Sequence, residues 1–226
     1  MNSEWESLAD WWTGEVAADP AYRKAVLPLT EALCPGDGLI LELGCGEGQV
    51  MRHLAQDGRT IVGLELNPIL AAVAAGSASV FRARIPDLRC IRSEAFDGAL
   101  LVLVLEHVDP LAPAFAAIRE VVRPGGKLVA VLNHPALTAP GAAAVVDPTD
   151  GEEFWRWGNY LEPGFTTEPA GAEVVTFFHR SIGDVLSAAA AGSWQLEEAI
   201  ELGWTDDPTG PPRLLGLRWR RGSDQS

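Results

Sequence analysis

The sequence predicts an α/β fold with a doubly wound, seven-stranded and mostly parallel sheet whose last strand is antiparallel. The first observation is a continuous apolar run at residues 39–43, which ends in the alternating glycines Gly44, Gly46 and Gly48 and leads into a helical segment. The second is the strict alternation of strand and helix patterns through the first five strands. The third is the turn 206–212, which has no room for a helix, so the last two strands should pair as a hairpin.

The individual elements follow from periodicity along the chain. Each predicted strand is a short apolar run bounded by turn residues, and each predicted helix repeats its apolar residues at a spacing of three or four. A break near Asp19 and Pro20 divides the first helical region in two. The predicted helices span 1–33 with that break, 49–57, 68–75, 110–122 and 181–191. The predicted sheet strands span 39–43, 60–65, 79–83, 96–105, 127–132, 194–202 and 213–220, with an extra strand at 174–179.

Composition limits the size of the protein and its partners. A chain of 226 residues with 47% hydrophobic residues suits a single domain, 1–226, and a net charge of −14 disfavours nucleic acid and anionic membranes as partners. Cys34, Cys45 and Cys90 lack the spacing of a zinc site, so we expect free thiols in a reducing compartment and no metal. The first residues are acidic and contain no apolar segment, so we expect neither a signal peptide nor a membrane span, and a cytoplasmic protein. The scarcity of lysine beside abundant Ala, Gly and Pro indicates a bacterial source with a GC-rich genome.

The glycine-rich turn after the first strand predicts a ligand site. Glycines let the backbone turn sharply and approach a ligand, and the positive end of the next helix faces them. The carboxylate of Glu42, two residues before Gly44, would repel a pyrophosphate but attract an ammonium or a sulfonium. Glu65 ends the second strand about twenty residues past the glycines, where a carboxylate can accept both hydroxyls of a ribose. The alternatives are a turn without a ligand and a capping role for Glu65, although Asn67 and Pro68 already supply a helix cap.

A second candidate region begins where the fifth strand ends, beside the same crevice. Residues 133–172 lack clear periodicity and are rich in Pro, Gly and aromatic residues, which inside a compact domain is typical of a functional segment. We expect the insertion 133–178 to cover the substrate, with Trp155, Trp157 and Tyr160 enclosing it. The rings could instead anchor the loop to the domain. The tryptophans near the N-terminus are expected to pack on the body of the domain, with a lid over the pocket as the alternative.

Taken together, these motifs resemble the class I S-adenosylmethionine-dependent methyltransferases, over most of the chain from about residue 39 to residue 220. Segment 41–48 is similar to the first motif of that family, and Glu65 stands where its ribose-binding acid stands. Segment 96–107 is similar to its fourth-strand motif, and segment 123–128 to its turn before strand five. The Rossmann-like fold and the closing hairpin are also those of the family. The resemblance implies S-adenosylmethionine as the cofactor, bound by Glu42, Gly44, Cys45, Gly46, Gly48, Glu65, Leu66, Arg84 and Leu103.

Within that set, the resemblance implies that the glycine turn lines the methionine part of the cofactor, with Glu42 holding its ammonium directly or through water. Leu66 would then cover a face of the adenine. One position departs from the family, which usually places an acid after the third strand to accept the adenine amino group. Segment 82–86 contains no acid and has Arg84 instead, which is either a solvated arginine or the sign of an altered cofactor site.

The resemblance implies methyl transfer from S-adenosylmethionine, and the acidic composition and the aromatic insertion favour a small-molecule acceptor. An in-line displacement depends mainly on positioning, and a general base is needed only when the acceptor must lose a proton. His107, His134 and His179 are the candidates for that base. The alternative is a methyltransferase-like binding protein that has lost catalysis. A nicotinamide oxidoreductase is disfavoured because the glycine spacing differs from Gly-x-Gly-x-x-Gly.

Overall fold

The computed structural model describes residues 8–34, 36–55, 58–170, 173–203 and 210–222. Among these residues a π-helical segment, Tyr22–Val26, precedes α2, and a 3₁₀ turn, Leu105–His107, follows β4. The α-helices are α1 (Ala9–Ala18), α2 (Leu27–Leu33), α3 (Gln49–Ala55), α4 (Pro68–Ala74), α5 (Leu111–Val121), α6 (Pro135–Thr138) and α7 (Ile182–Ala191). The strands are β1 (Leu39–Leu43), β2 (Thr60–Leu64), β3 (Ser79–Phe81), β4 (Phe96–Val102), β5 (Val122–Asn133), β6 (Ala143–Val146), β7 (Glu153–Arg156), β8 (Gly164–Ala170), β9 (Glu173–His179), β10 (Trp194–Leu202) and β11 (Leu214–Arg221).

Seven of these strands form one sheet in the order β10-β11-β5-β4-β1-β2-β3. Strands β1 to β5 pair in parallel with one another, while β11 runs antiparallel to both β5 and β10. The predicted fold class is therefore confirmed, including the closing hairpin and the antiparallel last strand. Because β1 and β4 lie side by side at the centre, their carboxyl ends meet at one edge of the sheet, where ligands bind in open α/β folds.

Helices cover both faces of the sheet because alternate residues of each central strand point to opposite faces. In β1, Ile40 packs in the cluster that contains the buried residues of α2 and α3. Leu41 and Leu43 pack in the other cluster, with Phe115 of α5 and Val185 of α7. The continuous apolar run of β1 is thus explained by burial on both sides.

Several boundaries differ from the sequence prediction. Strand β4 ends at Val102 because Leu103 adopts a positive φ of 54°, and the chain then enters the 3₁₀ turn. Strand β5 begins already at Val122, which pairs with Phe96 across a register shift. The predicted first helix lies partly outside the described residues, and α1 begins at Ala9.

The insertion after β5 has more regular structure than its sequence predicts. Strands β6 and β7 form one antiparallel hairpin, and β8 and β9 form another, in addition to the short helix α6. The sequence predicts no strand between residues 133 and 173, which is wrong, although the extra strand predicted at 174–179 is confirmed as β9. The pattern is hard to detect because most residues of β6, β7 and β8 are exposed, so an alternation of apolar and polar residues is not required. That the insertion covers substrate stays a prediction.

Further expectations concern thiols, metals and membranes. Cys34 and Cys45 are buried, Cys90 is exposed, and all three are free. The described ranges contain no group of three or more His, Cys, Asp or Glu side chains that could hold a metal ion. Nor do they contain a helix with the length and apolar character needed to cross a membrane.

Asp97, in the predicted fourth-strand motif, joins three segments at the amino end of the sheet. Its Oδ2 accepts a hydrogen bond from the backbone N–H of Leu39 at 2.8 Å, and its Oδ1 accepts one from the guanidinium of Arg123. Arg123 also donates to the backbone carbonyl of Glu94 at 3.2 Å. Asp97 therefore fixes the start of β1 against the start of β4 and the turn in β5.

We expect Asp97→Ala to lower the free energy of unfolding by about 1 to 3 kcal/mol, because a backbone donor and a guanidinium lose their charged acceptor. The measurement is urea denaturation at equilibrium. The matched control is Asp87→Ala, since the Asp87 side chain pairs with an arginine that is 88% exposed, and its loss should leave the free energy of unfolding nearly unchanged. Equal losses in the two variants would contradict a joining role for Asp97.

Candidate functional site

A cavity of about 690 Å³ opens at the carboxyl ends of β1, β2 and β4. Its position is the one expected from the sheet order. Its walls combine the glycine turn, the end of β2, the segment after β3, the end of β4 and two residues of β9. The lining residues are Trp12, Gly44, Gly46, Leu64, Glu65, Leu66, Leu70, Ala83, Arg84, Ile85, Val102, Leu103, Val104, His107, Val108, Thr176 and Phe178.

The turn between β1 and α3 must be built from glycine at two positions. Gly44 and Gly46 have φ values of 71° and 55°, in the left-handed region that favours glycine. A Cβ on Gly44 would lie 2.8 Å from the Cγ2 atom of Val104, and one on Gly46 would lie 3.3 Å from the indole nitrogen of Trp12. The turn therefore presents bare backbone to the cavity, as a close-fitting ligand requires.

Glu65 lies directly after β2 and joins the two loops at the edge of the cavity. It is buried, its Oε2 accepts from the N–H of Gly46 at 2.9 Å, and its Oε1 accepts from the N–H of Asn67 at 2.7 Å. Burial raises the pKa of Glu65. Asn67 caps α4 through the N–H groups of Ile69 and Leu70, so the predicted cap is present and Glu65 is not needed for it. Glu65 lines the cavity, as a ribose-binding carboxylate must.

Glu42 lies behind the glycine turn and is not among the residues that line the cavity. It is 2% exposed, and its Oε2 has no hydrogen-bond partner among the described residues. Burial raises the pKa of Glu42 well above its usual range, and the carboxylates of Glu47 and Glu65 raise it further. A buried carboxylate with an unsatisfied oxygen is suited to a cationic group held nearby, directly or through water.

The other predicted cofactor residues divide into two groups. Leu66, Arg84 and Leu103 line the cavity, whereas Cys45 and Gly48 do not. The Cys45 sulfur lies 2.6 Å from the place where a Cβ on Gly63 of β2 would be, so the side chain points into the sheet rather than toward a ligand. Burial raises the pKa of Cys45, which keeps it a neutral thiol.

Arg84 occupies the wall formed by the segment after β3. Its side chain is exposed, and its carbonyl accepts from the N–H of Asp87 at 2.6 Å. Its neighbours Ala83 and Ile85 also line the cavity, so this end is apolar apart from the guanidinium. Segment 82–86 therefore places no carboxylate in the wall of the cavity, which is the departure from the family pattern that the sequence predicts.

A second cavity of about 250 Å³ adjoins the first. It lies between the N-terminal helices and the carboxyl ends of β4 and β5. The two cavities share Trp12, Leu103 and His107 as lining residues. The remaining lining residues of the smaller cavity are Asp19, Tyr22, Glu106, Asn133 and Phe177.

His107 is the one predicted histidine that lines these cavities. Its Nδ1 lies 3.0 Å from the carbonyl oxygen of Thr176, and its ring packs 4.7 Å from the ring of Phe177. A carbonyl only accepts hydrogen bonds, so Nδ1 carries the proton and a neutral ring has its lone pair on Nε2. These two contacts fix the orientation of the His107 ring in the wall of the cavity.

His134 and His179 serve the structure of the insertion. His134 caps α6 by accepting from the N–H of Ala136 at 3.1 Å, and its Nε2 donates to Glu201 at 2.8 Å. His179 donates from Nε2 to the carbonyl oxygen of Tyr160 at 2.9 Å. Neither ring lines either cavity.

The three predicted substrate rings lie in or beside the hairpins of the insertion. Trp155 donates from its indole N–H to the carbonyl of Ala136 at 3.0 Å. Trp157 is 56% exposed and packs edge-on against Tyr160, whose hydroxyl accepts from the N–H of Ile182 at 3.3 Å. None of the three lines a cavity. Their contact with substrate stays a prediction.

Sequence reasoning identifies only some residues of the smaller cavity as functional. Leu103 and His107 are predicted site residues, and Asn133 lies in the predicted insertion 133–178, whereas Tyr22 is predicted only as part of a helix and Glu106 only as part of a motif. Trp12 was expected to pack on the body of the domain, with a lid as the alternative, and it lines both cavities. The available signal for Trp12 was its place on the apolar face of a helix just before the glycine strand.

Comparison with known proteins agrees with this geometry. A protein family described as "Methyltransferase domain" matches residues 41–130. A ubiquinone biosynthesis O-methyltransferase from Hahella chejuensis is 31% identical over 133 residues, which cover 54% of this chain and 56% of the relative. The corresponding enzyme of Cereibacter sphaeroides is 33% identical over 123 residues, covering 51% of this chain and 47% of the relative. The chain thus matches only about half the length of these curated relatives.

Solved structures extend the likeness over nearly the whole chain. An S-adenosylmethionine-dependent methyltransferase from Mesorhizobium loti superposes with a TM-score of 0.76 at 25% identity, covering 91% of this chain and 100% of that one. The glycopeptide N-methyltransferase MtfA, solved with S-adenosylhomocysteine, superposes with a TM-score of 0.61 at 14% identity, covering 87% and 89%. That second likeness concerns the fold alone.

The sheet order and the glycine turn at the edge of the sheet are those of a Rossmann-like fold. Residues 41–130 match a methyltransferase domain and the structural relatives agree with it, so the predicted resemblance to the class I S-adenosylmethionine-dependent methyltransferases is confirmed. The cofactor of that family is S-adenosylmethionine, which agrees with the predicted cofactor. The bacterial relatives also agree with the predicted bacterial source.

The ribose role of Glu65 can be tested by binding. We expect Glu65→Ala to weaken S-adenosylhomocysteine by about 1 to 3 kcal/mol, because the ribose hydroxyls lose a charged acceptor. Isothermal titration calorimetry measures the change, with circular dichroism to show that the variant is folded. Glu162→Ala, on an exposed turn, is the control and should bind as the parent does. Parental affinity in a folded Glu65→Ala would refute the assignment.

The burial of Glu42 predicts an unusual dependence of stability on pH. Because its folded-state pKa lies above the ordinary value of 4.5, its contribution to stability is fully present below the unfolded pKa and is lost as pH rises through the folded pKa. We expect Glu42→Gln to gain stability relative to the parent by up to about 1.4 kcal/mol per pH unit as pH rises from about 5 to about 7. Urea denaturation across this range, with the exposed Glu168→Gln as control, measures it. A pH-independent difference would contradict the raised pKa.

Proposed function

We propose that the protein transfers the methyl group of S-adenosylmethionine to a small-molecule acceptor. The observation that carries this proposal is the junction of two cavities at Leu103 and His107, one lined by the glycine turn and one lined in part by aromatic rings. The glycine-lined cavity suits a nucleoside cofactor. The smaller one adjoins it, which is the arrangement that an in-line transfer between two bound molecules needs.

Residues of the larger cavity can be given roles toward the cofactor. When bound, S-adenosylmethionine supplies a methyl group on a positively charged sulfur. Glu65 accepts the ribose hydroxyls, the backbone at Gly44 and Gly46 faces the methionine part, and Leu66 and Ile85 cover the adenine. The ionised form of Glu42 lies close enough to the turn to favour a cationic ligand electrostatically, although it does not face the cavity.

His107 is the candidate general base where the acceptor atom is a hydroxyl. Its Nδ1 is held by the carbonyl of Thr176, and its ring lines both cavities. The printed names of the curated relatives are those of O-methyltransferases, which supports a hydroxyl as the attacking group. His134 and His179 are less suitable because neither lines a cavity.

The acidic character of the chain supports a small molecule rather than nucleic acid as the acceptor. The net charge is −14, so a polyanion would be repelled. We place the reaction in the cytoplasm, where S-adenosylmethionine is available.

The second candidate is a binding protein of the same fold that does not catalyse transfer. Two observations favour it. The wall after β3 offers no carboxylate to the adenine amino group, and both carboxylate oxygens of Glu65 already accept backbone N–H groups. Turnover separates this candidate from an enzyme.

We expect S-adenosylhomocysteine to raise the melting temperature in a concentration-dependent manner, since a ligand at a hundred times its Kd stabilises the folded state by about 2.7 kcal/mol. NADH at the same concentration should have no effect, because the glycine spacing does not suit it. Differential scanning fluorimetry measures both. The absence of a shift with S-adenosylhomocysteine would overturn the proposed function.

Turnover is then measured as S-adenosylhomocysteine formed from S-adenosylmethionine with a panel of hydroxylated and amino acceptors, detected by mass spectrometry. Product with any acceptor supports the enzyme. Cofactor binding without product across the panel favours the binding protein.

A further inference from the structure

The smaller cavity is built by segments that are distant in sequence. Trp12 comes from α1, Tyr22 from the π-helical segment, Asn133 from the end of β5 and Phe177 from β9. Glu106 and its neighbour His107 come from the 3₁₀ turn after β4. The two cavities share Leu103 and His107, so a molecule in the smaller one would lie beside a cofactor bound in the larger one.

Glu106 is a buried carboxylate in the wall of this cavity with one oxygen unsatisfied. It is 6% exposed. Its Oε1 accepts from the side-chain amide of Asn133 at 3.0 Å and from the backbone N–H of the same residue at 3.3 Å. Its Oε2 is buried and has no hydrogen-bond partner among the described residues. Such an oxygen costs free energy unless a bound molecule supplies a donor.

The described lining of the smaller cavity contains acidic side chains but no lysine or arginine. Asp19 and Glu106 are both in the wall, and the lining residues among the described part of the chain include no lysine or arginine. Arg213 approaches Asp19 at 3.8 Å without being a lining residue. Arg213 offsets part of the charge of Asp19, whereas no ion pair offsets Glu106 among the described residues, so a negatively charged molecule beside Glu106 would be repelled.

The rest of the lining is aromatic. Trp12, Tyr22 and Phe177 line the same cavity as Glu106, and the ring of His107 packs against that of Phe177. Burial raises the pKa of Tyr22, with Glu42 and Glu47 adding to the effect, so its hydroxyl stays protonated and neutral. Rings in this arrangement bind a flat aromatic molecule through offset and edge contacts.

We propose that the smaller cavity is the acceptor pocket and that it selects an aromatic acceptor that carries a hydrogen-bond donor and no negative charge. Glu106 binds the donor, and Asp19 and Glu106 together exclude anionic acceptors. This inference rests on the proposed function, because it needs the cofactor in the adjoining cavity.

The test uses the full chain saturated with S-adenosylhomocysteine and three probes that share a dihydroxylated ring. The neutral probe is 4-methylcatechol, the cationic probe is dopamine and the anionic probe is 3,4-dihydroxyphenylacetate. Isothermal titration calorimetry gives their affinities. We expect the neutral and cationic probes to bind at least ten-fold more tightly than the anionic one.

Two variants assign that discrimination to residues. Glu106→Gln keeps an oxygen that can accept from Asn133, so the variant should fold. It should reduce the ten-fold discrimination, which corresponds to about 1.4 kcal/mol, to less than about three-fold. Asp19→Asn, at a side chain that is 43% exposed, should reduce it in the same direction and by less. Glu168→Gln removes one charge from the exposed surface of β8 and should leave the discrimination unchanged. Each variant should bind S-adenosylhomocysteine as the parent does.

Three results would overturn the inference: binding of the anionic probe as tight as that of the neutral one, discrimination that survives in both Glu106→Gln and Asp19→Asn, or no binding of any probe to the saturated protein. These differ from failure of the proposed function, which would appear earlier as failure to bind S-adenosylhomocysteine at all.

Discussion

The hydrogen bonds that Glu65 accepts from Gly46 and Asn67 hold together the edge of the sheet at which the cofactor cavity forms. They fix the glycine turn after β1 against the loop after β2, so the bare backbone of the turn faces a defined wall. Burial raises the pKa of Glu42 at this edge of the sheet, and the carboxylates of Glu47 and Glu65 raise it further, so the ionised form of Glu42 is disfavoured there.

The second cavity depends on how β4 ends. Leu103 takes a left-handed conformation and the chain turns through a 3₁₀ segment, which brings Glu106 and His107 to the junction of the cavities. Arg180, directly after β9, donates to the carbonyls of Leu105 and Val108 and pairs with Asp109 at 2.8 Å. The turn is thereby fixed from the insertion side. A strained residue held by surrounding hydrogen bonds is typical of a functional site.

The fold could be predicted because its signals are local: the buried run of β1 and the glycines specify strand, turn and helix within ten residues. Part of the lining of the larger cavity could be predicted for the same reason, since Glu65, Leu66, Gly44 and Gly46 lie directly after strands. The smaller cavity could not be predicted, because it forms where Trp12, Glu106 and Phe177 meet across long sequence separations. Cys45 shows a related limit, since a position inside a motif does not say which way the side chain points.

The aromatic residues of the insertion are connected to both cavities through one strand. Trp157 packs on Tyr160, and Tyr160 packs on His179 at the end of β9 while its carbonyl accepts from that ring. Alternate side chains of a strand point to opposite sides, and in β9 Phe177 lines the smaller cavity while Thr176 and Phe178 line the larger one. The rings of the insertion thus position a strand that contacts both cavities. A substitution at Tyr160 would therefore alter the binding of an acceptor by shifting β9, even if the Tyr160 ring makes no contact with the acceptor.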